Sequence, residues 1–173
     1  METALDIIKT IIPAAIVVYA MYLTVKQFLN KDFEKKLADL KIKSTEQVIT
    51  NRLQAYERMC LYLERISPSN IISRSNKPNM SVQELQFALI NDIREEFNYN
   101  LSQQLYISDE AWEAIRNVTE EVILEINHSG QSLDKKASGI ELAKKLIENW
   151  TSKEIDPIHQ VLMAVKAEVR TIF

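Results

Sequence analysis

The run Ser81-Val-Gln-Glu-Leu-Gln-Phe-Ala-Leu-Ile-Asn-Asp-Ile-Arg-Glu-Glu-Phe97 decides the fold class of this chain. Ser81 followed three residues later by Glu84 is a capping box, in which each residue satisfies a backbone N–H that a helix start leaves free. Met80 and Leu85 flank it as a hydrophobic staple. From there Leu85, Leu89, Ile93, Phe97, Leu101 and Leu105 step by fours, the repeat of one helix face. The composition of the whole chain agrees: its 173 residues hold 2 Gly and 4 Pro. So few turn-forming residues imply long uninterrupted elements, and the turn signals an all-β chain needs every roughly 8–12 residues are missing. The chain reads as all-α.

Working outward toward the C-terminus, Ser108 opens a further helix, with Asp109 and Glu110 at the positive end of its dipole and Ile107 set to staple Trp112. Its buried face is expected to be Trp112, Ile115, Val118, Val122 and Ile126, with an end near His128 and a loop at Gly130. The next helix is expected from Leu133 to Ser152, burying Ala137, Ile140, Ala143, Leu146, Ile147 and Trp150. Asp156-Pro157 is a cap followed by proline at the first helical position, where its missing N–H costs nothing. It opens a last helix with Ile158, Val161, Leu162, Val165, Val169 and Ile172 on its face.

Toward the N-terminus, Ser67-Pro68 reads as another helix start, and Ser73–Asn79 is the clearest loop. No Gly or Pro lies between Ala14 and Ile66, so one long helix is expected there. Its apolar stripe is Ile42, Ile49, Leu53, Tyr56, Cys60 and Leu63. From Lys31 to Lys43 the apolar pattern is thinner, with Phe33, Leu37 and Leu40 among many charges, the pattern of a solvated stalk. With short connections the helices are expected to pack as an up-and-down bundle.

The far N-terminus holds Thr10-Ile-Ile-Pro-Ala-Ala-Ile-Val-Val-Tyr-Ala-Met-Tyr-Leu-Thr-Val25 without a charge. As a helix it covers about 24 Å, against a hydrocarbon core of about 30 Å. Leu5, Ile7 and Ile8 extend it, while Asp6, Lys9 and Lys26 fall near the interfaces. A signal peptide cleaved after Val18-Tyr19-Ala20 is disfavoured by Glu2 and Asp6 at its start and by the apolar run continuing to Val25. Residues 10–25 as the core of a soluble bundle is the other alternative. The preferred reading is a single membrane span. Lys26, Lys31, Lys35, Lys36, Lys41 and Lys43 follow it, whereas Glu2, Asp6 and Lys9 precede it, so the bulk of the chain is expected on the cytoplasmic side of the inner membrane. The expected division is a membrane anchor over 1–28, a charged helical stalk over 29–43 and a cytoplasmic helical bundle over 44–173.

The phrases Asp134-Lys-Lys-Ala137, Gly139-Ile-Glu-Leu-Ala143, Asn149-Trp-Thr151, Asp156-Pro157 and the close Val169-Arg-Thr-Ile-Phe173 resemble an uncharacterised Bacteroidetes protein family. The resemblance implies one membrane helix followed by a cytoplasmic helical domain. It implies no activity.

Chemistry is sparse. There is no phosphate loop, dinucleotide fingerprint, nucleophile elbow or paired-cysteine metal site. Net charge is -3 with the signs interleaved, so nucleic acid is not an expected partner. Cys60 alone forms no internal disulfide, and its place on the apolar stripe marks a structural thiol. Asn100, Asn117, Asn127 and Asn149 match the glycosylation pattern within helices or at their ends and are taken as chance. The nearest approach to a metal motif is Glu125-Ile-Asn-His128, which helical di-iron proteins would pair with a second such motif. That second motif would be Asp156-Pro-Ile-His159, whose carboxylate is needed for the cap. No catalytic, cofactor-binding or metal-ligating residue is therefore assigned, and no cofactor. The expected function is a membrane-anchored interaction or scaffold protein, self-associating through the long first helix or holding another protein. The alternative is a motif-less enzyme or ligand-binding bundle.

Overall fold

A computed structural model describes residues 2–134 and 136–172, with side chains for all of these except 2–10, 12–14 and 172. Every regular element of the described chain is a helix: α1 Glu2–Ile66, α2 Pro68–Ser75, α3 Val82–Asn100, a 3-10 turn Leu101–Leu105, α4 Asp109–Gln131, α5 Gly139–Thr151 and α6 Pro157–Ile172. Two compact units divide the chain, Met1–Ile49 and Thr50–Phe173.

The first unit is helix alone, as the absence of Gly and Pro after Ala14 foretold. Its described large apolar side chains are exposed, among them Val18, Phe28, Phe33, Leu40 and Ile42. Among the described residues no helix is long and apolar enough to cross a membrane. The physical reason is length: even the whole uncharged run Thr10–Val25 makes a helix of only about 24 Å, short of the roughly 30 Å hydrocarbon core. Leu5, Asp6, Ile7, Ile8, Lys9, Thr10 and 12–14, which the expected anchor also used, lie outside the described side chains.

The second unit is a helical bundle around one core. Burial in α1 begins at Ala55 and runs through Tyr56, Met59, Tyr62, Leu63 and Ile66. The expected stripe is right at Tyr56 and Leu63, with Cys60 half-buried against the core. It is wrong at Ile42, Ile49 and Leu53, which are exposed, because the core of the second unit takes up α1 from Ala55 onward. In α3, Leu85, Leu89 and Ile93 are fully buried, each stabilising the fold by about 1.5–3 kcal/mol. The capping box is formed as read: Ser81 N–H donates to Glu84 Oε2 at 2.8 Å, and Glu84 N–H to Ser81 Oγ at 3.3 Å. The helix ends at Asn100, five residues before the last step of the expected stripe. There Asn100 Nδ2 turns back onto the Glu96 carbonyl at 2.8 Å, the chain tightens into a 3-10 turn, and Leu105 is exposed.

Three further boundaries differ from the sequence reading. Helix α2 continues to Ser75, which shortens the expected loop, and Asn79 takes a positive φ of 65°. Helix α4 runs straight through Gly130 to Gln131. The glycine there makes room for α3: a Cβ would lie 2.6 Å from Gln86 Oε1, while Gln86 Nε2 donates to Asn127 Oδ1 at 2.8 Å. Helix α5 starts at Gly139, six residues after Leu133. Asp134 closes a turn instead, its Oδ1 accepting from Lys136 N–H at 2.8 Å and its carbonyl from Ala137 N–H at 2.9 Å. The true start is Ser138-Gly-Ile-Glu141, where Glu141 Oε2 accepts from Ser138 N–H at 2.7 Å.

Those two Ser-x-x-Glu starts are paired. Gly139 N–H donates to the Met80 carbonyl at 2.7 Å and Val82 N–H to the Ala137 carbonyl at 3.3 Å, an antiparallel bridge between Ser81 and Ser138. Helices α3 and α5 thus leave from the same end, and α4 packs against both. The close approach requires Gly139, since a Cβ there would meet the Met80 carbonyl oxygen at 3.0 Å. Leu142, Ala143, Leu146 and Trp150 are the buried face of α5, while Ile140 and Ile147 are exposed. Helix α6 packs on α4 through Ile158, Leu162 and Val165, with Val161 and Val169 partly buried; Ile172 lies outside the described side chains.

Candidate functional site

Two surfaces stand out, one in each unit. In the first unit the uncharged run exposes Ile16, Val17, Val18, Tyr19, Met21 and Tyr22, between 58% and 68% of each residue. Consecutive residues of a helix point about 100° apart, so this band is apolar on every side rather than along one stripe. Contiguous exposed apolar surface of this kind is uncommon on soluble proteins. At its edge, Lys26 Nζ stands 6.0 Å from the Tyr22 ring centroid.

In the second unit a groove of about 540 Å³ lies between α1 and α3. Gln54, Arg58, Leu61 and Arg65 rise from one side and Glu96, Tyr99 and Asn100 from the other. Arg65 Nη2 bonds Glu96 Oε2 at 2.9 Å; the pair is half-open to water and contributes at most about 1 kcal/mol. Leu61 and Tyr99 are exposed at the rim. The floor is Tyr62, whose hydroxyl shares a 2.8 Å hydrogen bond with Thr119 Oγ1 in the core. Burial pushes the Tyr62 phenol far above its ordinary range, so it stays protonated. Tyr62, Phe97 and Trp112 form a continuous aromatic row, with centroids 5.9 Å and then 5.3 Å apart. The expected packing role of Trp112 and Phe97 is what the row provides.

The polar clusters elsewhere hold helices together. Glu168 of α6 takes the Tyr56 hydroxyl at 2.6 Å on one oxygen and Ser108 Oγ at 2.9 Å on the other, while Ser108 Oγ also accepts from Ala111 N–H. Burial, then the Glu168 carboxylate, raise the Tyr56 phenol. Glu125 Oε1 accepts from Asn149 Nδ2 at 2.9 Å and from Ser129 Oγ at 3.3 Å, tying α4 to α5. That leaves the Glu125–His128 motif without a shared focus, because His128 is exposed while Glu125 is turned to α5. Asp156 caps α6 through Ile158 N–H at 2.9 Å and accepts Trp150 Nε1 at 3.2 Å; His159 is exposed. Among the described residues no group of His, Cys, Asp and Glu could hold a metal ion. Cys60 is half-buried, and burial pushes its thiol up, with Lys166 opposing.

The groove was not singled out from the sequence. Its signal is visible afterwards as Gln54, Glu57, Arg58 and Arg65, a polar stripe interrupted by Leu61 on the side of α1 away from Tyr56 and Leu63.

No curated protein and no solved structure matches the chain. A family profile matches residues 2–172, which takes in nearly all of the phrases on which the resemblance rested. The chain belongs to the family of unknown function DUF7935.

Proposed function

We propose that this protein is a membrane-tethered helical interaction module. The apolar run 10–25 enters the bilayer, and the bundle Thr50–Phe173 engages a macromolecule beside the membrane, a second copy or another protein. The observation that carries the reading is the band Ile16–Tyr22, uncharged and exposed on all sides of its helix. In water such a band costs roughly 25 cal/mol per Å² of apolar surface left uncovered. The lysines from Lys26 to Lys43 favour the cytoplasmic side of the inner membrane for the bulk of the chain. Tethering raises the effective concentration of partners on the same membrane, so a modest interface suffices.

Fractionation tests the tether. The full chain is expected in the membrane pellet, and a chain starting at Lys31 in the high-speed supernatant. A full chain that stays in the supernatant overturns the proposal. For the interaction, pull-down from solubilised membranes together with light scattering is decisive. A strictly monomeric protein that enriches no specific partner removes the interaction half.

The groove between α1 and α3 favours a second reading, a ligand-binding bundle. Arg58 and Arg65 stand there beside exposed Tyr99 and Leu61, with Glu57 and Glu96 in the same lining, so the groove offers charged and aromatic groups to a polar ligand. Soaking the protein with a library of small anionic and aromatic compounds, read by melting temperature, separates the two. A specific shift abolished by Arg65→Ala favours the ligand reading.

A further inference from the structure

We propose that the helix segment immediately after the apolar band binds anionic phospholipid headgroups, with Lys26 and Lys31 as the contacting residues. The inference rests on the membrane tether and names the lipid chemistry it selects.

The chain as a whole carries a net charge of -3, yet between Lys26 and Lys43 six lysines face only Asp32, Glu34 and Asp39. The sign of this segment is therefore opposite to that of the protein. The two lysines nearest the band on its C-terminal side have only Gln27, Phe28, Leu29 and Asn30 between them, and acidic residues begin after them, at Asp32 and Glu34. The first acidic residue beyond them, Asp32, is engaged on its own helix by Lys36 Nζ at 3.0 Å. Both Lys26 and Lys31 are exposed. Phe28 and Leu29 are exposed between them, apolar side chains suited to the acyl boundary.

Distance decides which lysines matter. With a rise of about 1.5 Å per residue, Lys31 lies about 9 Å beyond Val25 along the helix. That is within the Debye length of about 8–10 Å at ordinary ionic strength. Lys41 and Lys43 lie more than about 20 Å out and are screened. Each lysine close to an anionic surface strengthens binding about fivefold. A small ligand or a protein surface is a poorer match, because these charges lie on an open helix with no enclosing wall.

The test reconstitutes the full chain in vesicles of phosphatidylcholine containing phosphatidylglycerol, with trace spin-labelled forms of each lipid. Spin-labelled phosphatidylglycerol is expected to associate with the protein at least about threefold more than phosphatidylcholine. High salt, or the double variant Lys26→Gln with Lys31→Gln, should bring that ratio close to one. The companion variant Lys41→Gln with Lys43→Gln should leave it unchanged. Equal association of the two labels with the unaltered chain overturns the inference. So does a preference that the Lys26 and Lys31 changes do not move. Flotation with vesicles of phosphatidylcholine alone tests the tether separately. A chain that floats there but shows no lipid preference keeps the tether and loses this inference. A chain that floats only with anionic vesicles loses the apolar tether and keeps it.

Discussion

Residues 29–49 and 50–66 belong to one helix and both carry apolar side chains, the second stretch more densely. Their fates differ. Leu37, Leu40, Ile42 and Val48 are half or more exposed, whereas Tyr56, Met59, Tyr62 and Leu63 are at most 1% exposed. Helix formation is a local matter of propensity and hydrogen bonds, and both stretches satisfy it. Burial is a matter of what lies opposite, and only the second stretch has α3, α4 and α6 supplying Phe97, Thr119 and Glu168 as partners. An apolar stripe in a sequence therefore marks a surface that can be covered, and leaves open whether the same chain covers it.

The comparison can be broken most directly with charge. Leu89→Asp or Ile93→Asp places an uncompensated carboxylate in the bundle core, and each is expected to cost at least about 3–5 kcal/mol and to unfold the second unit. Leu37→Asp in the first unit should change stability by no more than about 0.5 kcal/mol. Chemical denaturation followed by circular dichroism reads both, and comparable losses would remove the distinction between the units.

The two glycines sharpen it at the next level down. Gly139→Ala pushes a Cβ against the Met80 carbonyl oxygen, a backbone atom held by the bridge between the two helix starts. A loss of about 1–3 kcal/mol is expected. Gly130→Ala meets only the flexible end of Gln86 and gains helix propensity, so a net change within about 1 kcal/mol is expected. Equal melting temperatures for the two variants would show that the bridge is not tight.

A smaller effect tests the core of the second unit. Tyr62→Phe keeps the aromatic row and removes the hydroxyl shared with Thr119, whose Oγ1 still donates to the Ile115 carbonyl at 2.7 Å. The expected cost is about 1 kcal/mol. A tenfold larger one would mean that the hydroxyl does more than pair with Thr119.

The smallest effect concerns an exposed cap. Backbone and side-chain hydrogen bonds from Ser81 hold the Glu84 carboxyl below its ordinary range. A lowered carboxyl stabilises the folded state above the ordinary carboxylate range, and the contribution is lost as the pH falls through the folded value. Glu84→Gln should therefore lower stability slightly at neutral pH and flatten the acid limb of a stability profile. Parallel profiles for the two proteins would mean that the bond is not kept in solution.

Helix starts were the most legible feature of the chain. Ser81, Ser108 and Pro157 all open helices where they were expected, because a cap is written in three or four consecutive residues. The start at Ser138 carries the same Ser-x-x-Glu signature and was missed in favour of an earlier apolar residue, Leu133. Helix ends were less legible. Gly130 reads as punctuation until α3 is known to press Gln86 against it. The expected reach of α3 to Leu105 failed because a four-residue repeat continues on paper after the backbone has tightened. The groove between α1 and α3 was hidden for a related reason: its residues lie about forty positions apart and carry no motif.

By itself the sequence determined the all-helical class, most helix starts, the main buried face of α3, α4 and α6, and the uncharged band near the N-terminus. Each of these depends on residues close together along the chain, through caps, periodicity or a run of one character. Tertiary structure alone decided that burial in α1 begins at Ala55, that α3 and α5 start side by side on a backbone bridge, and that Glu125, Glu168 and Asp156 are committed to holding helices. Those outcomes depend on which distant surfaces meet, and short-range pattern carries no record of that.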